Sequence, residues 1–229
     1  MSGTLTDYLK VVSSAPSGAP TGVVAPELAL RLNTANNHLE AWDGSAWQDV
    51  TGSSGGAAGD LVKLSEQIVS GSAAASITFA SIVGTYRHLE MLFIGRGDVS
   101  AGNANFGVRF NGDSGANYDI QQIQGNNTTP GAYGVPAQTS INPFFIAGNT
   151  APAGAVGTTR LLIYDYARAV WRKQVQGENY LDTADSAGGS YTTLGGGVWR
   201  STAAITSITL ISISGNFAVG TLATLYGRN

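Results

Sequence analysis

The chain has 229 residues, enough for one large β domain or for a small module plus a domain of roughly 160 residues. Only 12% of them are charged, about half the ~25% usual in soluble globular proteins, which suits surfaces packed against copies of the same chain. A formal net charge of −3 with no Lys/Arg cluster argues against nucleic acid, and the absence of cysteine excludes disulfides, thiolate catalysis and Cys-ligated zinc.

In chain order, Leu5, Tyr8, Leu9 and Val12 fall at helical spacing behind Thr4 or Thr6. That predicts a short amphipathic helix within residues 1–12. The opening MSGTLTDYLK lacks a basic start followed by an unbroken apolar core, so no secretory signal is expected. No stretch approaches the ~18 apolar residues of a membrane span. A chain made in a cytoplasm and not inserted in a membrane is the expectation. Residues 13–20, SSAPSGAP, read as a linker.

Leu28, Leu30 and Leu32 alternate with Glu27, Ala29 and Arg31, a strand with one apolar face. Turn formers at 33–37 lead to a second strand over 38–42. Asp43-Gly44 is a hairpin signal, and a third strand follows over 46–50. Three strands of about five residues cannot enclose a core. Copies of this β-meander around an axis would bury Leu28, Leu30, Leu32, Leu39, Trp42 and Trp47 against each other.

TGSSGGAAGD at 51–60 is a flexible linker. Beyond it, alternation predicts strands around Ala75–Phe79, Leu89–Ile94 and Phe106–Phe110. More follow at 138–146, 158–166, 169–178, 190–199, 204–213 and 217–226, separated by Gly/Asn turns. The class is therefore all-β: a small N-terminal oligomerising β-meander, then an antiparallel β-sandwich or jelly-roll-like domain. In ITSITLISISG, apolar residues on both parities predict a strand covered on both faces, either between two sheets or at a subunit interface.

Chemistry-bearing constellations are few. His38 and His88 are isolated and read as polar surface, where a metal site needs convergent ligands. Asp165, Glu178, Asp182 and Asp185 would serve a glycosidase only if two of them met in space. The 110–119 segment, with Asn111, Asp113, Ser114 and Asp119, reads as a hairpin turn or a calcium loop. Gly195, Gly196 and Gly197 signal a bulge or a close backbone approach. Arg96-Gly97-Asp98 ends a buried strand, so the RGD tripeptide reads as chance. The aromatics Tyr118, Tyr133, Trp171 and Tyr180 lie outside the core pattern and are candidate sugar-stacking platforms. The polar stretch 117–134 reads as a long loop, either functional or an inert connector. No catalytic set, no metal and no cofactor is expected.

LNTANNHLEAWDGSAWQDV resembles the short repeat of bacteriophage tail-fibre and related virion proteins, with its N-T turn, an aromatic before D/N-G and a Trp before Asp-Val. ITFASIVGTYRHLEMLFIGRGD, VRFNGDSGANYD and ITSITLISISGNFAVGTLATLYGRN resemble a β domain of the same class of surface proteins. The resemblance covers most of residues 28–50 and 66–229. It implies a homotrimeric appendage located in the virion, a short head or capsid fibre, a decoration protein or a compact tail tip. Its N-terminal segment would dock on capsid or tail proteins, and its C-terminal domain would be exposed for attachment to host cell-surface glycan. The family pattern carries no catalytic residues. The expected division is a docking peptide and linker (1–20), a trimerising β-meander (21–51), a Gly/Ser linker (52–65) and a sandwich head (66–229). A polysaccharide-degrading tail enzyme and a free carbohydrate-binding module are the alternatives.

Overall fold

The structure, a computed structural model, describes residues 9–12, 28–33, 38–42, 45–50, 61–183 and 189–229. It is all-β, in two compact units, Met1–Gly59 and Asp60–Asn229. In the first unit, β1 (Leu9–Val12), β2 (Leu28–Asn33), β3 (His38–Trp42) and β4 (Trp47–Asp49) form a sheet in chain order. β1 runs parallel to β2 and the other pairs are antiparallel. The helix expected within 1–12 is thus corrected over its described part. Val11 and Val12 favour an extended backbone, and so short a helix does not repay its nucleation. Residues 1–8, the 13–20 linker, residues 34–37 and Asp43-Gly44 lie outside the described residues, as does the 51–60 linker.

The second unit is a sandwich of two antiparallel sheets. Its strands are β5 (Leu61–Ile68), β6 (Ser76–Phe79), β7 (His88–Gly95), β8 (Asn103–Phe110), β9 (Tyr118–Asn126), β10 (Thr129–Gln138), β11 (Ile141–Ala147), β12 (Gly157–Tyr164), β13 (Lys173–Leu181), β14 (Tyr191–Trp199), β15 (Ile208–Ser212) and β16 (Leu222–Arg228). Eight of them order as β10-β9-β14-β13-β12-β7-β16-β5, and four as β11-β8-β15-β6. Alternation does the sorting. In β7, Leu89, Met91 and Phe93 point into the core, while Leu92 and Ile94 point out. Phe93 stacks on Phe106 across the two sheets at 4.3 Å between ring centroids, and Phe106 meets Phe144 at 5.4 Å. Burying each such ring is worth about 1.5–3 kcal/mol.

Polar side chains also join the layers. Asn179 of β13 accepts a hydrogen bond from Phe145 N of β11 at 2.9 Å, and its Nδ2 donates to Phe145 O at 2.9 Å. Its side chain thereby stands in for a paired strand.

Three expectations are corrected in this unit. The linker end expected at residue 65 falls inside β5, which pairs with β16 from Leu61↔Arg228 to Ile68↔Leu222. The stretch 117–134 is no loop: it holds most of the β9–β10 hairpin, turning at Asn127 with φ 50°. Its glutamines face both sides, which hides the alternation. Finally, of the two coverings expected for β15, the one between two sheets is corrected: Ile208 and Leu210 are fully buried in the core, whereas Ile211 is half-buried and Ile213 beyond the strand is exposed.

Candidate functional site

In the N-terminal sheet, register decides which side chains can act together. Leu30 pairs with Ala41 and Leu32 with Leu39, so these share one face. Arg31 pairs with Glu40, and Trp42 with Trp47, on the other face. There Arg31 Nε donates to Glu40 at 2.6 Å, and the guanidinium lies 4.5 Å from the Trp47 ring centroid. Trp47 meets Trp42 edge-on at 5.6 Å. Arg31 and Glu40 are buried by this arrangement. The six expected oligomerisation residues therefore divide. The tryptophans pack with an internal ion pair, while the leucine face is partly open, with Leu32 48% exposed and Leu30 and Leu39 half-buried. Leu28 begins β2, and its side chain lies outside the described residues.

In the head unit, the outward side of the eight-stranded sheet presents rows set by register. One row runs from Gly125 through Thr192, Tyr180, Thr158 and Ile94 to Leu222 and Ile68, with no charged side chain. The next carries Ile123, Leu194, Glu178, Arg160 and Leu92. Ile68, Leu92, Ile94, Ile123, Tyr180 and Leu194 are all exposed here. Two shallow grooves of about 690 and 610 Å³ share Thr192 and Leu194. The larger is lined by Leu92, Thr158, Arg160, Glu178 and Tyr180, the smaller by Ile123, Gly125, Pro130 and Ala132.

One carboxylate on this face is paired twice. Glu90 accepts from Arg160 Nε at 2.7 Å and from Arg228 Nη1 at 2.9 Å. The hydrogen bond from Arg160, ahead of the Arg228 contacts, holds the Glu90 carboxyl below its ordinary range. Both guanidiniums fold over Glu90, leaving it buried on an otherwise open surface.

The four candidate platforms do not converge. Tyr118 is fully buried, a correction: its hydroxyl donates to Asp113 O at 2.9 Å and accepts from Phe110 N at 3.1 Å. Burial pushes its hydroxyl up to about 12. Tyr133 sits on β10 opposite Gln122, on the other side of the sheet from Ile123. Trp171, 66% exposed, lies on the connection between β12 and β13. Only Tyr180 lies in the larger groove.

The remaining groups are engaged locally. Asp165 accepts from Arg168 Nε at 2.6 Å, and Asp182 from Ser190 Oγ at 2.6 Å. Glu178 and Asp182 are four residues apart along β13 and beyond, roughly 13 Å between Cα atoms at ~3.3 Å per residue, wider than the ~5–9.5 Å glycosidase spacings. Asp185 lies outside the described residues. In the 110–119 segment, Asp113 accepts from Trp199 Nε1 at 2.7 Å and from Gly115 N at 2.8 Å, while Asp119 pairs with Arg200 at 2.6 Å. These carboxylates brace a turn. Among the described residues no group of three His, Cys, Asp or Glu is placed to hold a metal.

His88 accepts from Asp165 N at 3.2 Å through Nδ1, and burial, then Arg87, lowers its pKa. The side chain of His38 lies outside the described residues. Arg96 of the RGD tripeptide donates to the carbonyls of Asn149, Ala151, Pro152 and Ala155 at 2.6–3.1 Å. Asp98 accepts from Asn216. Gly195–Gly197 lie within β14 in unbroken register, so the alternative that holds is close approach, not a bulge.

No protein-family model, curated protein or solved structure matches the chain.

Proposed function

We propose that the chain is a structural surface protein of a bacteriophage particle, a short homotrimeric fibre or decoration appendage. Its N-terminal segment docks on capsid or tail proteins, and its sandwich head is displayed outward. The observation that carries the assembly reading is the partly open leucine face of a four-stranded sheet too small to hold a core of its own. Low overall charge and carboxylates tied into local braces support a structural rather than a hydrolytic role. The phage assignment rests on the resemblance of residues 28–50 and 66–229 to virion surface proteins. Attachment to host glycan, where it occurs, falls to the exposed indole of Trp171 on the β12–β13 connection.

Light scattering coupled to size exclusion tests the assembly. The expected mass is three times the 23.5 kDa of one chain, and Leu32→Glu with Leu39→Glu should lower it to one. A wild-type chain that is monomeric at micromolar concentration would remove the reading.

A further inference from the structure

The eight-stranded sheet buries one face in the sandwich and exposes, on the other, a row without charge flanked by Leu92, Leu194 and Ile123. We infer that this outward face is a contact surface between copies of this chain. The inference rests on the homo-oligomeric reading above and places a second interface, on the head, beside that of the N-terminal sheet.

Three observations select a second copy as the occupant. The first is size. Eight strands ~4.8 Å apart and about eight residues long span roughly 34 by 25 Å. That is about 850 Å² per copy, close to the ~800 Å² each partner contributes to a stable interface. The second is charge. The same face of every copy would come together at a threefold axis and must not repel itself; here Lys63 pairs with Glu66 and both Arg160 and Arg228 pair with Glu90, and with Glu178, opposite Arg160 in register, these six charges sum to zero. Glu90 is already neutralised by both arginines within one chain, so the face can lose water without stranding that carboxylate. The third is the edges. Pro130 and Pro136 lie in β10, at one edge of the sheet, and cannot donate backbone hydrogen bonds. At the other edge β5 carries Lys63 and a register shift against β16. Copies blocked from joining edge to edge are left with the face. The aliphatic Ile68, Ile94 and Leu92 also fit a protein surface better than a sugar ring, which would stack on Tyr164 or Tyr180.

The chain has no cysteine, so a single introduced thiol reports on the face. Thr158→Cys puts it mid-row, and Ser100→Cys puts it on an exposed loop. In the full-length assembled protein, maleimide should label position 158 about tenfold more slowly than position 100, because it reacts only from the dissociated population. Ile94→Glu with Leu194→Glu should lower the mass by light scattering while circular dichroism stays unchanged. A chain that assembles but labels at both positions equally overturns this inference and leaves the homo-oligomer standing. A monomer labelled freely at both positions overturns both readings. Protection at position 158 that appears only on adding glycan or another protein also overturns it, since the occupant is then not a second copy. Assembly that survives Leu32→Glu with position 158 still protected supports the head interface and removes the N-terminal one.

Discussion

Tyr118 shows how a single residue escapes a composition-based reading. Its neighbours Asn117 and Asp119 are polar, so the stretch looks like a wet loop. Its own position is the first of β9, on the core side, where it stacks with Trp199 and holds the Phe110–Asp113 turn. Legible in the sequence was an aromatic; not legible was which way the backbone aims it. Burial raises its pKa from the ordinary 10 to about 12. A raised pKa means that the neutral form is favoured by folding. Its contribution to stability is therefore whole below pH 10 and is lost as pH climbs from 10 to 12. Urea titrations across that range should show stability falling more steeply in wild type than in Tyr118→Phe. Equal slopes would mean that Tyr118 ionises as it does in the unfolded chain.

At the scale of elements, a strand with a single clean apolar parity, such as β8, was readable from alternation alone. Strands at the edges of the eight-stranded sheet were not. β5 and β10 present mixed residues because only one neighbour constrains them, and β9 carries glutamines on both faces. The grouping of Leu39 with Trp42 failed for a simpler reason. Three residues apart in a strand is an odd step, so the two side chains face opposite ways. The glycine run was legible as a constraint, and the structure supplies its cause. A Cβ on Gly196 would sit 2.1 Å from the Val175 carbonyl oxygen on the paired strand. Gly196→Ala must therefore push β13 and β14 apart, and should cost about 3 kcal/mol. Gly125→Ala in the adjoining β9, where no atom lies within 4 Å, should leave the melting temperature nearly unchanged. Similar melting for both variants would show that the strands give way freely.

For the whole molecule, the sandwich class and the separation of a small front unit from a head were readable, since turn spacing and glycine-rich punctuation reflect chain-level geometry. How the two sheets are pinned was not. Nothing in QVQGENYLD singles out Asn179 as the side chain that bonds both backbone groups of Phe145 and also reaches Thr159 Oγ1 at 2.9 Å. Asn179→Leu keeps the volume but strands Phe145 N and O between the layers. Denaturant unfolding should show a loss of about 3 kcal/mol, and a loss under ~0.5 kcal/mol would mean that water replaces the amide. The crossover from β11 to β12 carries the chain from one layer to the other; backbone bonds from Gly148, Asn149 and Thr150 tie its start to residues 99–102, and the guanidinium of Arg96 gathers four of its carbonyls. Four carbonyls sharing a single latch cannot be released one at a time. That stretch should open in an all-or-nothing fashion, and the tripeptide containing the latch is, for the same reason, withheld from any receptor.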